Sequence, residues 1–218
     1  MSEQYDEHEQ SERVKQWLIK NGTNILTGLL LAVSAIYAWQ WWQGRQLQQG
    51  VEAANQYQTF IQAVKKNDSA KATVLGEAFI KNYQKSDLAF LAALHLAKYQ
   101  QDQGKPSLAL KALDQAASVA HSEQNRELVL IRKAQLNLSQ LKPTEAKKIL
   151  ATFKPVFFTA SYAELQGDIA VSLDQREQAA QAYQSALSKL DPAAGSRTLI
   201  EMKLADAGGV ASNQTEIH

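Results

Sequence analysis

Apolar and polar positions fall into two regimes along the chain. No residue from Asn21 to Gly44 is charged, and Ile25 to Ala38 is a run of Leu, Ala, Val and Ile broken only by Thr27, Gly28, Ser34 and Tyr37. From Gly50 onward apolar residues recur among Gln, Lys and Glu, without the alternation of a strand. Ala, Leu, Gln, Lys and Glu are good helix formers, and Pro is confined to Pro106, Pro143, Pro155 and Pro192, where breaks are expected. The pattern predicts one apolar helix over 22–42, then a series of helices of ~12–18 residues joined by short turns.

A helix over 22–42 is ~31 Å long at ~1.5 Å per residue, close to the hydrocarbon thickness of a bilayer. All four tryptophans, Trp17, Trp39, Trp41 and Trp42, flank it. An indole has an apolar face and a polar edge, so tryptophans at both ends of an apolar run read as membrane-interface anchors. A surface-lying helix would need a charged face, which this stretch lacks. Two other readings stay open here: a buried core helix, and a cleaved signal peptide with small residues at Val33-Ser34-Ala35. Against cleavage stand the long segment before the apolar run and the run's continuation past that point. Arg13, Lys15 and Lys20 precede the segment closely, and only Arg45 follows it at comparable distance. That bias puts the N-terminus in the cytoplasm. In a Gram-negative bacterium the C-terminal part would then be periplasmic. Glu3, Asp6, Glu7, Glu9 and Glu12 do not change this, because acidic residues count weakly in the rule.

The second regime repeats. Lys105-Pro106-Ser107-Leu108-Ala109 has a counterpart in Lys142-Pro143-Thr144-Glu145-Ala146, ~37 residues later. Ala179 lies ~33 residues after Ala146, and Ala97, Ala134 and Gly167 keep the same offsets in the preceding helices. Two antiparallel helices approach closely only where one presents Gly or Ala to a fitting side chain of the other. Ala97, Ala109, Ala134, Ala146, Gly167, Ala179, Tyr183 and Ala186 are therefore the expected repeat-packing residues. The spacing brackets the tetratricopeptide period of ~34. The usual Trp and first-helix Tyr positions are unfilled, and Val51–Tyr83 reads as a degenerate further pair. A generic helical bundle is the competing architecture, which the repeated offset disfavours. Ser196–Ala205 reads as a final helix covering the last repeat. The expected fold class is all-α: a single N-terminal transmembrane helix followed by a tetratricopeptide-like solenoid. Its parts are a cytoplasmic tail over 1–21, the anchor over 22–42, the repeat domain over 43–206 and a frayed tail over 207–218.

Composition removes several chemistries. The chain has 218 residues, a net charge of +1 and no Cys. This length excludes a large multidomain enzyme. The near-neutral balance argues against a general nucleic-acid binder. Absence of Cys removes disulfides, thiolate metal sites and a Cys nucleophile. A mean hydropathy of -0.34 averages an apolar segment with a polar domain. His8, His95, His121 and His218 show no metal-ligand spacing, and there is no phosphate loop or nucleophile elbow. No catalytic, metal or cofactor residues are expected, and the chain reads as a binding module. An enzyme would require converging carboxylates or histidines that the sequence does not display.

The order of parts resembles the YfgM-like family, the ancillary subunits of the SecYEG translocon. The resemblance rests on the Glu-rich opening into Val14-Lys15-Gln16-Trp17-Leu18, the apolar segment, Tyr162-Ala163-Glu164-Leu165-Gln166-Gly167-Asp168, and the closing Ile200-Glu201-Met202-Lys203-Leu204. It implies a single-pass inner-membrane protein with a periplasmic tetratricopeptide-like domain. It also implies SecYEG and the periplasmic chaperone PpiD as partners, and a non-enzymatic role in assisting exported proteins. Competing readings are an envelope scaffold in cell division or outer-membrane assembly, and a mitochondrial receptor of opposite topology.

Overall fold

The structure is a computed structural model that describes residues 3–210, with side chains described over that range except at 3–11, 14, 18 and 25. Nine helices fill the described residues, and there is no strand among them. In order they are α1 (Glu3–Lys65), α2 (Ser69–Asn82), α3 (Asp87–Asp102), α4 (Pro106–Ser118), α5 (Glu123–Ser139), α6 (Pro143–Leu150), α7 (Thr159–Ser172), α8 (Arg176–Lys189) and α9 (Arg197–Asp206). The chain divides into two units, Met1–Ala54 and Asn55–His218.

The first unit lies within α1. Leu26, Leu29, Leu30, Leu31, Val33 and Ile36 are all exposed among the described residues. No single helix among the described residues is long and apolar enough to cross a membrane. Lys15–Asn24 and Leu26–Lys65, bent by 45° at their junction, pass that test together. The hydroxyls inside the run bond back to their own helix, Thr27 Oγ1 to the Thr23 carbonyl at 2.8 Å and Ser34 Oγ to the Leu30 carbonyl at 2.8 Å. Such back-bonding lets a hydroxyl sit in an apolar setting without a lost hydrogen bond.

The second unit is built of antiparallel helix pairs: the end of α1 with α2, where Tyr57 and Phe60 meet Phe79 and Gly76, then α3 with α4, α5 with α6 and α7 with α8. One turn geometry joins the helices of every pair. Asn67, Gly104, Leu141 and Asp174 take left-handed φ values of 56°, 68°, 56° and 58°. The next residue's N–H then reaches back to close the helix: Asp68 to Ala63, Lys105 to Gln100, Lys142 to Asn137 and Gln175 to Ala170, at 2.8–3.1 Å. This is the Schellman arrangement, which satisfies carbonyls left over at a helix end. The same closure ends α9, where Gly208 has φ 85° and Gly209 N–H bonds the Leu204 carbonyl at 2.9 Å. Helix α9 thus repeats the first helix of a pair. Pro106 and Pro143 open α4 and α6, where a fixed φ and a missing N–H cost nothing.

Leu141 is the exception to the turn chemistry. A β-carbon in the left-handed region costs about 1–2 kcal/mol, and Leu141 gains nothing back because it is 90% exposed. Leu141→Gly is therefore expected to raise stability by about 1 kcal/mol, after the greater freedom of Gly in the unfolded chain is subtracted. Urea unfolding of the two proteins side by side measures it, and an unchanged or lower midpoint would contradict the strain argument.

Helix α6 has 8 residues, shorter than the expected helices. Its successor position explains why. Ala116 in α4 and Ala186 in α8 are buried, but ~37 residues after Ala116 stands Phe153. A phenyl ring is far larger than the buried Ala of the other pairs, so the chain leaves the helix after Leu150. Phe153 then packs edge-on against Tyr162, with ring centroids 5.3 Å apart.

Candidate functional site

The four tryptophans are exposed along α1. Trp39 and Trp42 lie 5.6 Å apart in a tilted pair, and the Arg45 guanidinium sits 4.7 Å from the centre of the Trp41 ring. A cation over an indole face keeps its charge while covering apolar surface. Arg45 and Trp41 thus form one amphipathic group at the end of the apolar run. The acidic tail expected over 1–21 begins with two residues outside the described ones. The tail expected over 207–218 lies outside them from 211 onward.

Every expected repeat-packing residue is buried: Ala97, Ala109, Ala134, Ala146, Gly167, Ala179, Tyr183 and Ala186. Ala134, Ala146 and Leu150 share one core cluster, while Ala179, Tyr183 and Ala186 share the next with Ile200 and Leu204 of α9. Among these residues, Gly167 makes a very close approach. A Cβ there would stand 2.6 Å from Cδ1 and 2.8 Å from Cζ of Tyr183, so the ring lies flat against the α7 backbone.

The degenerate first pair has the same fit with sizes exchanged. Phe60, ~37 residues before Ala97, takes the position that is small elsewhere, and Gly76 takes the position of Leu113, Leu150 and Tyr183. A Cβ on Gly76 would meet the Phe60 ring at 2.9 Å. The large side chain comes from the first helix here and from the second helix in the last pair. Searching each column for small residues alone misses this pair. Stepping the ~37-residue offset backward while allowing the pair to swap would have found it.

Two polar constellations were not visible in the sequence. In the first, Lys203 of α9 bonds Glu164 Oε1 at 2.7 Å and Asp168 Oδ2 at 2.9 Å, and the Tyr183 hydroxyl donates to Asp168 Oδ1 at 2.8 Å. Burial pushes the Tyr183 hydroxyl up, and its bond to the Asp168 carboxylate pushes it further the same way. Burial alone would lower Lys203, but the two carboxylates outweigh it and hold the ammonium above its ordinary value. The cluster ties α7, α8 and α9 together. In the second, Glu127 of α5 is only 6% exposed. Its carboxylate accepts N–H bonds from Val156 at 2.8 Å, Phe157 at 3.1 Å and Phe158 at 2.6 Å. Phe158 is the N-cap of α7 and offers no side-chain cap of its own, so Glu127 caps that helix from a distance.

Two clefts are candidates for binding. One, about 460 Å³, lies between α3, α4 and α5. Leu91, Leu94 and Leu136 give it apolar walls, with Lys98 and Arg132 beside them. The other, about 470 Å³, lies between α6, α7 and α8 and carries four glutamines. Among the described residues no group of three His, Asp or Glu side chains is placed to hold a metal ion. Apolar walls, amides and single charges bind and position, and such clefts suit a polypeptide partner.

A family model described as a tetratricopeptide repeat-like domain matches residues 15–209. The chain is 29% identical over 188 residues to a protein of Haemophilus influenzae, covering 85% of this chain and 91% of that one. It is 28% identical over 183 residues to one of Aggregatibacter actinomycetemcomitans, covering 83% and 88%, and 27% identical over 201 residues to one of Escherichia coli, covering 91% and 95%. Each of the three is named an ancillary SecYEG translocon subunit. No solved structure matches the chain. The repeated turn, the buried small residues at the repeat offset and the match over 15–209 agree: the chain belongs to the tetratricopeptide repeat-like family.

Proposed function

We propose that this protein is a non-enzymatic adaptor of the SecYEG translocon, anchored in the bacterial inner membrane by residues 22–42. Its repeat domain, over 43–206, faces the periplasm and links newly exported proteins to the chaperone PpiD. The carrying observation is likeness along nearly the whole chain to ancillary translocon subunits. The uncovered apolar run fits this reading. A segment with so much exposed apolar surface needs another covering, and a bilayer provides one. Anchoring confines the repeat domain to a layer at the membrane face, which raises its effective concentration near a channel exit. The tryptophans and Arg45 act as interface anchors, and the small residues at the repeat offset act in packing.

In-cell crosslinking followed by detergent solubilisation and isolation is expected to recover SecY and PpiD with this chain. A phosphatase fused to the C-terminus is expected to be active, as only a periplasmic enzyme of that type would be. Recovery of neither partner would overturn the assignment, and an inactive but stable fusion would overturn the orientation.

A further inference from the structure

The cleft between α6, α7 and α8 has a chemistry that the packing does not use. Gln175, Gln178 and Gln181 stand at three-residue steps along α8 and its N-cap, and Gln166 faces them from α7. The Gln175 Oε1 is buried and meets no donor, and the amides of Gln166, Gln178 and Gln181 make no hydrogen bond among the described residues. Some glutamines elsewhere in the domain are spent on the protein itself: Gln100 donates to Thr73, Gln103 to Asn67 and Gln140 to the Leu136 carbonyl, and Gln135 accepts from Arg132. Gln100 and Gln115 each keep one buried carbonyl without a partner, but singly. Here four converge on one cleft. The floor beneath them is apolar, from Leu150, Ile169 and Leu173, and Lys147 supplies the one charge on the lining.

A primary amide offers a donor and an acceptor together. The main chain of an extended peptide offers the same two groups, on one side, at every second residue, a repeat of about 6.6 Å. Residues three apart on a helix are about 5–6 Å apart at Cβ, and the flexible glutamine stem covers the difference. The apolar floor suits the side chains that alternate with those amides. We propose that this cleft binds an extended polypeptide segment through its main chain, with little regard to sequence. The inference deepens the adaptor reading and rests on it for the source of such segments, which would be chains leaving the translocon.

The test uses the full chain in detergent and a fluorescent peptide of alternating Val and Thr, acetylated, amidated and carrying Asp at each end. The second probe is the same peptide N-methylated at every second residue, which removes backbone donors and leaves the side chains in place. The wild-type chain is expected to bind the first peptide and to bind the methylated one at least ~tenfold more weakly, as the loss of several hydrogen bonds implies. The triple variant Gln166→Ala, Gln178→Ala and Gln181→Ala is expected to lose at least ~tenfold for the first peptide with an unchanged melting curve, since all three side chains are exposed. Equal binding of the two peptides, full binding by the variant, or no binding by the wild-type chain would overturn the proposal. Loss of SecY co-isolation alongside retained peptide binding would count against the adaptor reading instead.

Discussion

Gly167→Ala is expected to destabilise the repeat domain by about 2 kcal/mol. Its added methyl group would overlap the Tyr183 ring, which is buried between α7, α8 and α9 and held at its hydroxyl by Asp168. Overpacking of this kind costs about 1–3 kcal/mol, and the better helix propensity of Ala returns up to about 1 kcal/mol. A hydroxyl anchored at one end and a core on every side leave the ring little room to yield, which favours the upper part of that range. The decisive measurement is a double-mutant cycle with Tyr183→Leu. Ala134 and Leu150 occupy the equivalent positions one repeat earlier, so the double variant installs a pair this protein already uses. It should recover most of the loss from Gly167→Ala, short of the roughly 1 kcal/mol hydrogen bond to Asp168. Strict additivity of the two changes in urea unfolding would show that the contact does not limit the approach of α7 and α8.

Glu127→Ala is expected to cost about 3 kcal/mol, the largest loss foreseen here for an isolated side chain. Three N–H groups, on Val156, Phe157 and Phe158, lose their common acceptor in a half-buried setting, and α7 loses its only cap. Glu127→Gln keeps one acceptor oxygen but turns an NH2 group toward donors, so it should fall between the two. A pH dependence follows. Burial alone would raise the carboxyl, yet the three backbone N–H bonds win and hold it below its ordinary value. A carboxylate depressed in the folded state contributes stability above its unfolded pKa of about 4.3. That contribution disappears as pH falls from there through the folded value. Stability of the wild-type chain should therefore decline more steeply between pH 5 and 3 than that of Glu127→Gln, by urea midpoints on that scale. Parallel declines would show that Glu127 does not titrate in this way.

The helical class, the repeat offset and the columns of small residues were legible in the sequence because each depends on local spacing. Pro106 and Pro143 mark their helix starts by chain chemistry alone. The Phe60–Gly76 pair was not legible from the columns of small residues alone, because steric fit depends on the sum of two side chains and not on which helix supplies the larger. Leu141 could not be read as a left-handed residue either, since a leucine carries no signal for that conformation. Of the clefts, the glutamines of α8 can be counted in the sequence. Their convergence with Gln166 needs α7 and α8 laid side by side.

The sequence by itself determined that an uncharged apolar run precedes a chain of short amphipathic helices in register with one another, since hydropathy and turn chemistry act over a few residues. Only the tertiary structure decided which polar groups were consumed by folding and which were left over. Glu127 reaches across ~30 residues to backbone donors, and Lys203 crosses ~35–40 residues to Asp168 and Glu164, so both are spent on the protein itself. The glutamines of the α6–α8 cleft are not. Hydrogen bonding is a matter of distance and angle between groups far apart in the chain, and no local pattern records it.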